Sequence, residues 1–115
     1  MRAVILVMGL LWLISFNQVR ASVELSDDFI NAQPRVQLYM AYAEYKMANY
    51  PLAHAMWQQI DGAGKAEALF NLGILYEQGK GVEQSLVAAR DYYLQAAEAG
   101  SRAGAYQVGL MALEH

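Results

Sequence analysis

The stretch AEALFNLGILYEQGKGV, Ala66 to Val82, decides how the rest of the chain is interpreted. It contains three glycines, Gly73, Gly79 and Gly81, with Lys80 between the last two. Such a stretch is either a glycine-rich loop that binds phosphate or a helix that ends at a glycine before a second helix begins. The first interpretation predicts a nucleotide-binding enzyme, and the second predicts a helical scaffold.

The spacing of these residues excludes a phosphate-binding loop. Such a loop needs a glycine, four further residues and then Gly-Lys-Ser/Thr, placed between a strand and a helix. Here five residues separate Gly73 from Gly79, and the lysine after Gly79 is followed by another glycine. Leu69, Leu72 and Tyr76 instead recur at positions i, i+3 and i+7, which is typical of one face of an amphipathic helix. The stretch therefore predicts a helix that a left-handed Gly79 ends.

Beyond its N-terminal segment the chain is predicted to be all-α, because no alternating apolar pattern bounded by turns competes with the helical one. Lys80 is expected to be the solvated tip of the loop after the opening helix. Ser85 and Asn49 are expected to accept a hydrogen bond from the first turn of the helices that they precede. Five helices are predicted, at about 34–48, 49–61, 65–78, 85–99 and 102–114, and a short one begins after Ser26.

A repeat of 36 residues is detectable in the chain. When the sequence is shifted by that length, polar caps, aromatic residues and glycines coincide: Asn49 with Ser85, Trp57 with Tyr93, Phe70 with Tyr106, and Gly73 with Gly109. Each unit consists of two helices, which cannot bury their apolar faces alone, so the units must stack. Close helix contacts are expected at the small residues Ala41, Ala53, Gly73, Ala89, Ala96 and Gly109, with aromatic side chains filling the gaps.

The first 21 residues are predicted to be a cleaved export signal. Arg2 precedes an apolar run of 14 residues, 3–16, and Val19-Arg20-Ala21 fits a small-residue cleavage site. A membrane-spanning helix needs about 20 apolar residues, and an uncleaved anchor is the alternative. We expect the remaining chain, residues 22–115, in the bacterial periplasm or secreted, with residues 22–33 as a short helix or a disordered segment.

Charge and cysteine content exclude several classes of function. Residues 22–115 carry 11 acidic and 6 basic side chains, because two of the 8 Lys and Arg residues, Arg2 and Arg20, precede them. Their net charge of 6 − 11 = −5 argues against binding to nucleic acid or to an anionic membrane. The chain has no cysteine, which excludes disulfides, cysteine metal sites and lipid attachment through an N-terminal cysteine.

No residues of the sequence combine into a recognisable catalytic or metal site. His54 is expected at the surface or at the rim of a groove, since neither Trp57 nor Gln58 can add a second ligand at i+3 or i+4. No serine lies in a nucleophile-elbow pattern, and Asp27 and Asp28 are expected to interact with a helix dipole. We therefore expect no cofactor, no metal and no enzymatic activity.

Residues 64–100 resemble the Sel-one-like repeat (SLR), a family in the tetratricopeptide (TPR) superfamily of helical solenoids. The resemblance rests on Gly73, Tyr76, Gly79, Gly81, Tyr92, Tyr93 and Gly100. Residues 101–111 look like the start of a further unit, and residues 45–53 look like a TPR helix junction. Ser85 stands where the family usually has aspartate, but it keeps the capping chemistry. The resemblance implies a short right-handed α-α superhelix with units at about 34–63, 64–99 and 100–115.

In this superfamily the first helix of each unit lines a concave groove that holds a partner segment. Carried over by resemblance, the groove positions of this chain are Leu38, Tyr42, Tyr45 and Lys46 in the first unit, Glu67, Phe70, Ile74, Glu77 and Gln78 in the second, and Tyr106 in the third. Tyr42 and Tyr45 suit an interface, because tyrosine offers apolar area and a hydroxyl at low entropic cost. The alternative is that both tyrosines pack against residues 28–30.

The third unit provides a second candidate surface. Only its first helix is present in the sequence, so four residues of that helix are expected to be uncovered: Ala103, Tyr106, Leu110 and Met111. This end is therefore predicted to meet a partner or a second copy of the chain.

The resulting prediction is an exported adaptor or scaffold that binds a protein partner through its groove or its C-terminal end. Two alternatives stay open. One is a periplasmic hydrolase acting on cell-wall or β-lactam-like substrates, which some exported relatives of the repeat family suggest, although the sequence shows no nucleophile–base pair. The other is a structural subunit of an envelope complex.

Overall fold

The structure is a computed structural model that describes residues 23–114, and the predicted export signal and His115 lie outside the described residues. Within that range all regular structure is helical, which confirms the all-α prediction. The helices are α1 (Asp27–Ile30), α2 (Pro34–Lys46), α3 (Tyr50–Gln59), α4 (Lys65–Gln78), α5 (Leu86–Glu98) and α6 (Arg102–Leu113), with a 3-10 turn at Gly62–Gly64 between α3 and α4. The five long helices lie at their predicted positions and end within two residues of the expected bounds.

Serine hydroxyls begin three of the helices. Ser26, Ser85 and Ser101 each accept a hydrogen bond from a backbone N–H three residues later, at 3.2, 3.1 and 2.9 Å. These bonds satisfy N–H groups that have no partner within the helix, so the predicted cap at Ser85 is confirmed.

The predicted cap at Asn49 is wrong. Asn49 occupies the N-cap position of α3, but its side chain makes no capping bond. Its amide instead donates to Oε2 of Glu44 at 2.7 Å. The backbone accounts for the difference, because Asn49 has φ −83° and ψ 62°, whereas the three serine caps have the extended conformation.

Helices α2, α3 and α4 enclose the larger core, and α5 and α6 enclose a smaller one that includes Tyr93. Seven residues that were expected at helix contacts, on the apolar face of α4 or as aromatic fillers are buried: Ala41, Ala53, Trp57, Leu72, Ala89, Tyr93 and Ala96. Trp57 and Tyr93, which coincide in the 36-residue repeat, are therefore the large residues of successive core layers. No helix between residues 23 and 114 has the length and apolarity needed to cross a membrane.

Two glycines show where helices approach each other most closely. A Cβ on Gly73 would lie 2.5 Å from Cε1 of Tyr93, which confirms that α4 and α5 touch there. The corresponding prediction for Gly109 is wrong, because a Cβ at Gly109 would meet nothing within 4 Å. The glycine of α6 that allows close approach to α5 is Gly104, since a Cβ there would lie 2.9 Å from Cβ of Ala96.

The loop after α4 is held against the first unit. Gly79 adopts the left-handed conformation, with φ 66° and ψ 40°, and ends α4 as predicted. A Cβ on Gly81 would lie 2.6 Å from Cβ of Tyr50, so this glycine allows the loop to contact the start of α3. The Gly-Lys-Gly segment of the opening stretch is thus a packed connection between repeat units.

Candidate partner-binding groove

A cleft of about 490 Å³ lies between α2 and the beginning of α4. Its lining residues are Arg35, Leu38, Tyr39 and Tyr42 from α2, Ala63 and Gly64 from the 3-10 turn, and Glu67 from α4. The turn can lie close to α2 because Gly64 has no side chain. A Cβ there would be 2.7 Å from Cγ2 of Ile60 and 3.3 Å from Cδ1 of Leu38.

Three of the predicted groove residues meet in this cleft: Leu38, Tyr42 and Glu67. Arg35 and Tyr39 line the same cleft but are absent from the prediction. Their sequence signal is their spacing, because positions 35, 38, 39 and 42 recur at three- and four-residue intervals and therefore share one side of α2. Tyr39 is 72% exposed and Tyr42 is 51% exposed, so both rings are accessible from the cleft.

Tyr45 lies outside the cleft, where it joins the two repeat units. Its ring centroid is 5.5 Å from that of Tyr50 and 5.8 Å from that of Trp57, and its hydroxyl donates to Oε1 of Gln78 at 3.4 Å. Tyr42 stacks on it at 6.3 Å. The aromatic partners of Tyr45 are therefore on α2 and α3, and its hydroxyl reaches Gln78 at the end of α4, so Tyr45 connects the two units.

Lys80 is not a solvated loop tip, contrary to the prediction. Its Nζ donates to the Tyr45 hydroxyl at 3.3 Å and lies 5.1 Å from the Tyr45 ring centroid and 5.5 Å from that of Tyr50. The hydrogen bond to Tyr45 raises the pKa of the Lys80 ammonium. The electron-rich ring faces attract the cation, and this attraction explains why the side chain turns back toward the first unit.

Most of the remaining predicted groove residues in the second unit make contacts within the fold. Phe70 and Ile74 pack against the smaller core, with the Phe70 ring 5.5 Å from that of Tyr93. Glu77 accepts a hydrogen bond from the buried Tyr93 hydroxyl at 2.9 Å. Burial and this bond to Glu77 raise the pKa of the Tyr93 phenol. The side chains of Phe70, Ile74 and Glu77 therefore contribute to the packing of the second unit.

Lys46, a predicted groove residue on α2, has its Nζ 5.9 Å from the centroid of the exposed Tyr42 ring.

The C-terminal helix differs in part from its prediction. Met111 was expected to be uncovered, but it is buried against Ala89 and Tyr93 of α5. Its burial follows from the helix phase, since Met111 lies seven residues after Gly104 and so shares the side of α6 that faces α5. Tyr106 is 65% exposed, as expected for a residue on the opposite side.

His54 lies in the contact between α3 and α4 and is partly buried, so it is more enclosed than predicted. Its Nε2 is 3.3 Å from the hydroxyl of Tyr76, and the edge of one ring packs on the other at 5.8 Å. Burial lowers the pKa of the imidazole. In residues 23–114 no three carboxylate or imidazole side chains are grouped so as to hold a metal ion.

Comparison with known proteins agrees with this geometry. The family model of the Sel1 repeat matches residues 66–101, which comprise α4, the glycine loop and α5. This match supports the predicted resemblance and the TPR-like helical repeat fold. Sel1 repeats mediate protein–protein interactions and are typically non-enzymatic scaffolds. No curated protein matches the chain.

Proposed function

We propose that this chain, which contains a Sel1 repeat, is an exported adaptor that binds a protein partner in the cleft between α2 and the start of α4. The observation that carries this proposal is the combination of accessible aromatic rings and opposite charges in one cleft. Tyr39 and Tyr42 are exposed there beside Arg35 and Glu67. Aromatic residues and arginine are enriched in protein interfaces.

The cleft has the chemistry to hold an extended segment of a partner. Its volume of about 490 Å³ falls within the usual range for ligand pockets. Leu38 and the two tyrosine rings offer an apolar surface, and the tyrosine hydroxyls can exchange hydrogen bonds with a peptide backbone. Among the residues from 23 to 114, neither Arg35 nor Glu67 forms an ion pair. Their charges can orient a segment that carries the opposite charges at its two ends.

The opposite charges also predict the type of interaction. Charged groups at the edge of a contact mainly affect the association rate and the salt dependence of binding, whereas buried aromatic anchors supply most of the affinity. We therefore expect Tyr39→Ala to accelerate dissociation of the partner. Arg35→Ala is expected mainly to slow association and to reduce the dependence on salt.

Site-specific photo-crosslinking in living cells tests the cleft. A photoreactive residue in place of Tyr39 is expected to capture a discrete partner protein, whereas the same residue in place of the exposed Gln95 on α5 is not. Adding Arg35→Ala is expected to weaken capture, with the equally exposed Arg90→Ala as the matched control. Identical captured proteins from positions 39 and 95 would contradict a binding role for the cleft.

Export is a separate part of the proposal and has its own test. Supporting it are the basic start, the short apolar run and the small-residue pattern within residues 1–21. The N-terminal sequence of protein recovered from the cell envelope or the medium is expected to begin at Ser22. Recovery of that protein with Met1 still attached would contradict cleavage.

A further inference from the structure

One side of α6 is exposed along the whole helix. Its residues recur at three- and four-residue intervals, are exposed, and are called here the α6 stripe: Arg102, Ala105, Tyr106, Gly109, Ala112 and Leu113. Tyr106 is 65% exposed and Leu113 is 84% exposed, which is unusual for two large apolar residues on one short helix. The stripe faces away from Gly104 and Met111, through which α6 packs on α5.

The two ends of the described solenoid are not equivalent. At the N-terminal end, α1 covers α2: Phe29 is fully buried, and its carbonyl accepts a hydrogen bond from Nε2 of Gln37 at 2.9 Å. A second copy that stacked its α6 on this end would have to displace α1 and leave the buried Gln37 amide without its partner. Head-to-tail stacking of copies is therefore unfavourable. Contact between the α6 stripes of two copies requires no displacement of α1.

We propose that the α6 stripe binds the α6 stripe of a second copy, with the two helices antiparallel across a two-fold axis at Gly109. This inference goes beyond partner binding in the cleft and uses different residues. Only the functional consequence rests on the proposed adaptor role: a dimer would present two partner-binding clefts.

The sizes of the side chains support this arrangement. Residues at equal distances on either side of Gly109 face each other when two antiparallel helices cross there, so Leu113 lies opposite Ala105 and Tyr106 lies opposite Ala112. Each large side chain thus meets a small one. At the centre a Cβ on Gly109 would meet nothing within 4 Å in the single chain, so the backbone there is open to close approach by another helix.

Charge favours the antiparallel direction over the parallel one. Arg102 begins α6, and Glu114 caps its carboxyl end. Antiparallel helices place Arg102 of one copy beside the carboxyl end of the other, where the negative end of the helix dipole and Glu114 lie. Parallel helices would instead bring the two Arg102 guanidinium groups together. An isologous contact of this kind also closes the assembly at two copies.

Two exposed apolar residues also lie at one end of the α5–α6 pair. Three residues, 99–101, join α5 to α6, so the first turn of α5 lies at the same end of the helix pair as Leu113. Val87, in that turn, is 84% exposed, and Leu86 is half-exposed.

The absence of cysteine from the chain allows a direct test by disulfide trapping. In the full-length chain, Gly109→Cys is expected to form a disulfide with itself across the axis, because helices in close contact bring such residues within disulfide distance. Gln95→Cys, exposed on α5, is the control and is expected to stay largely unlinked. A mixture of Ala105→Cys and Leu113→Cys chains is expected to give mainly mixed dimers.

The oligomeric state provides the second measurement. Light scattering of the unmodified chain is expected to give twice the mass of the single chain, which is 12.8 kDa for all 115 residues. Leu113→Glu is expected to weaken dimerisation about tenfold or more, while circular dichroism stays unchanged because Leu113 is exposed in the single chain. A monomer at all concentrations overturns the proposal. So does trapping at position 109 that is no faster than at position 95. Any of these results leaves the cleft, and hence the adaptor role, untouched.

Discussion

Gly73 on α4 lies against the ring of Tyr93 on α5, at a distance that leaves no room for a side chain. A Cβ at Gly73 would be 2.5 Å from Cε1 and 2.6 Å from Cδ1 of the ring. The ring cannot move aside easily, because Tyr93 is fully buried and its hydroxyl is bonded to Glu77. This contact sets the distance between the two helices of the Sel1 repeat and thereby the shape of the second unit.

Gly73→Ala is therefore expected to destabilise the protein, although alanine favours helix more than glycine does. Overpacking of a filled core costs about 1–3 kcal/mol, and we expect a loss in this range. Chemical denaturation measures it. Gly109→Ala, measured in the Leu113→Glu background that weakens dimerisation, is the matched control. Gly109 lies in open space in the single chain, so this substitution should raise stability by about 0.5–1 kcal/mol through helix propensity. Equal effects of the two substitutions would show that the Gly73 contact is not tight.

The caps of α5 and α3 differ in a measurable way. Ser85→Ala removes the bond to the N–H of Ala88 and is expected to cost about 1 kcal/mol of unfolding free energy. Asn49→Ala is expected to cost clearly less, because the Asn49 side chain makes no capping bond and its bond to Glu44 is exposed. Denaturant midpoints of the two variants give the comparison. A larger loss at Asn49 than at Ser85 would contradict the capping assignment.

Lys80 is expected to stabilise the contact between the repeat units in a pH-dependent manner. Its pKa is raised in the fold, so its contribution is complete below the ordinary lysine pKa and is lost as the pH rises through the raised value. Lys80→Gln should therefore lower the unfolding midpoint at neutral pH and have little effect in strong alkali. Lys65→Gln, which removes an exposed pair with Asp61 at 3.8 Å, is the control and should have little effect at either pH.

His54 is expected to make stability fall on mild acidification. Burial lowers its pKa, so the unfolded chain binds a proton at a higher pH than the folded one, and stability declines as the pH falls below the ordinary histidine value. The groups that face the imidazole are the Tyr76 hydroxyl on α4 and, stacked behind it, Tyr92 on α5. His54→Gln should flatten the pH profile in this range. An unchanged slope in the variant would assign the effect to other groups.

Local chemistry explains why so much of the helical plan could be predicted. The bounds of α4 follow from apolar spacing and from a glycine that can adopt a left-handed conformation, and the start of α5 follows from a serine that accepts an N–H bond. These signals act within a few residues, so they are visible in the sequence alone. The one failed cap, Asn49, failed for a local reason too, since its backbone is not extended and its side chain bonds to Glu44.

The candidate site could be predicted only in part. The resemblance to a repeat family indicated Leu38, Tyr42 and Glu67, which do meet in the cleft, but it missed Arg35 and Tyr39. It also selected Phe70 and Ile74, which the fold uses for packing against the smaller core. The side of a helix that stays exposed is set by how the neighbouring helices pack against it. That packing depends on contacts between residues far apart in the sequence.

The sequence by itself determined the helices, the cap of α5 and the repeat, because hydrogen bonding and helix periodicity operate over one or two turns. Only the tertiary structure decided which glycine allows close approach in α6, Gly104 in place of Gly109, and where the Lys80 ammonium lies. These outcomes depend on the rotation of each helix about its axis and on partners up to 35 residues away in the chain. The glycines of the opening stretch therefore predict a helical scaffold, and the packing of Tyr45, Tyr50 and Tyr93 around them decides its geometry.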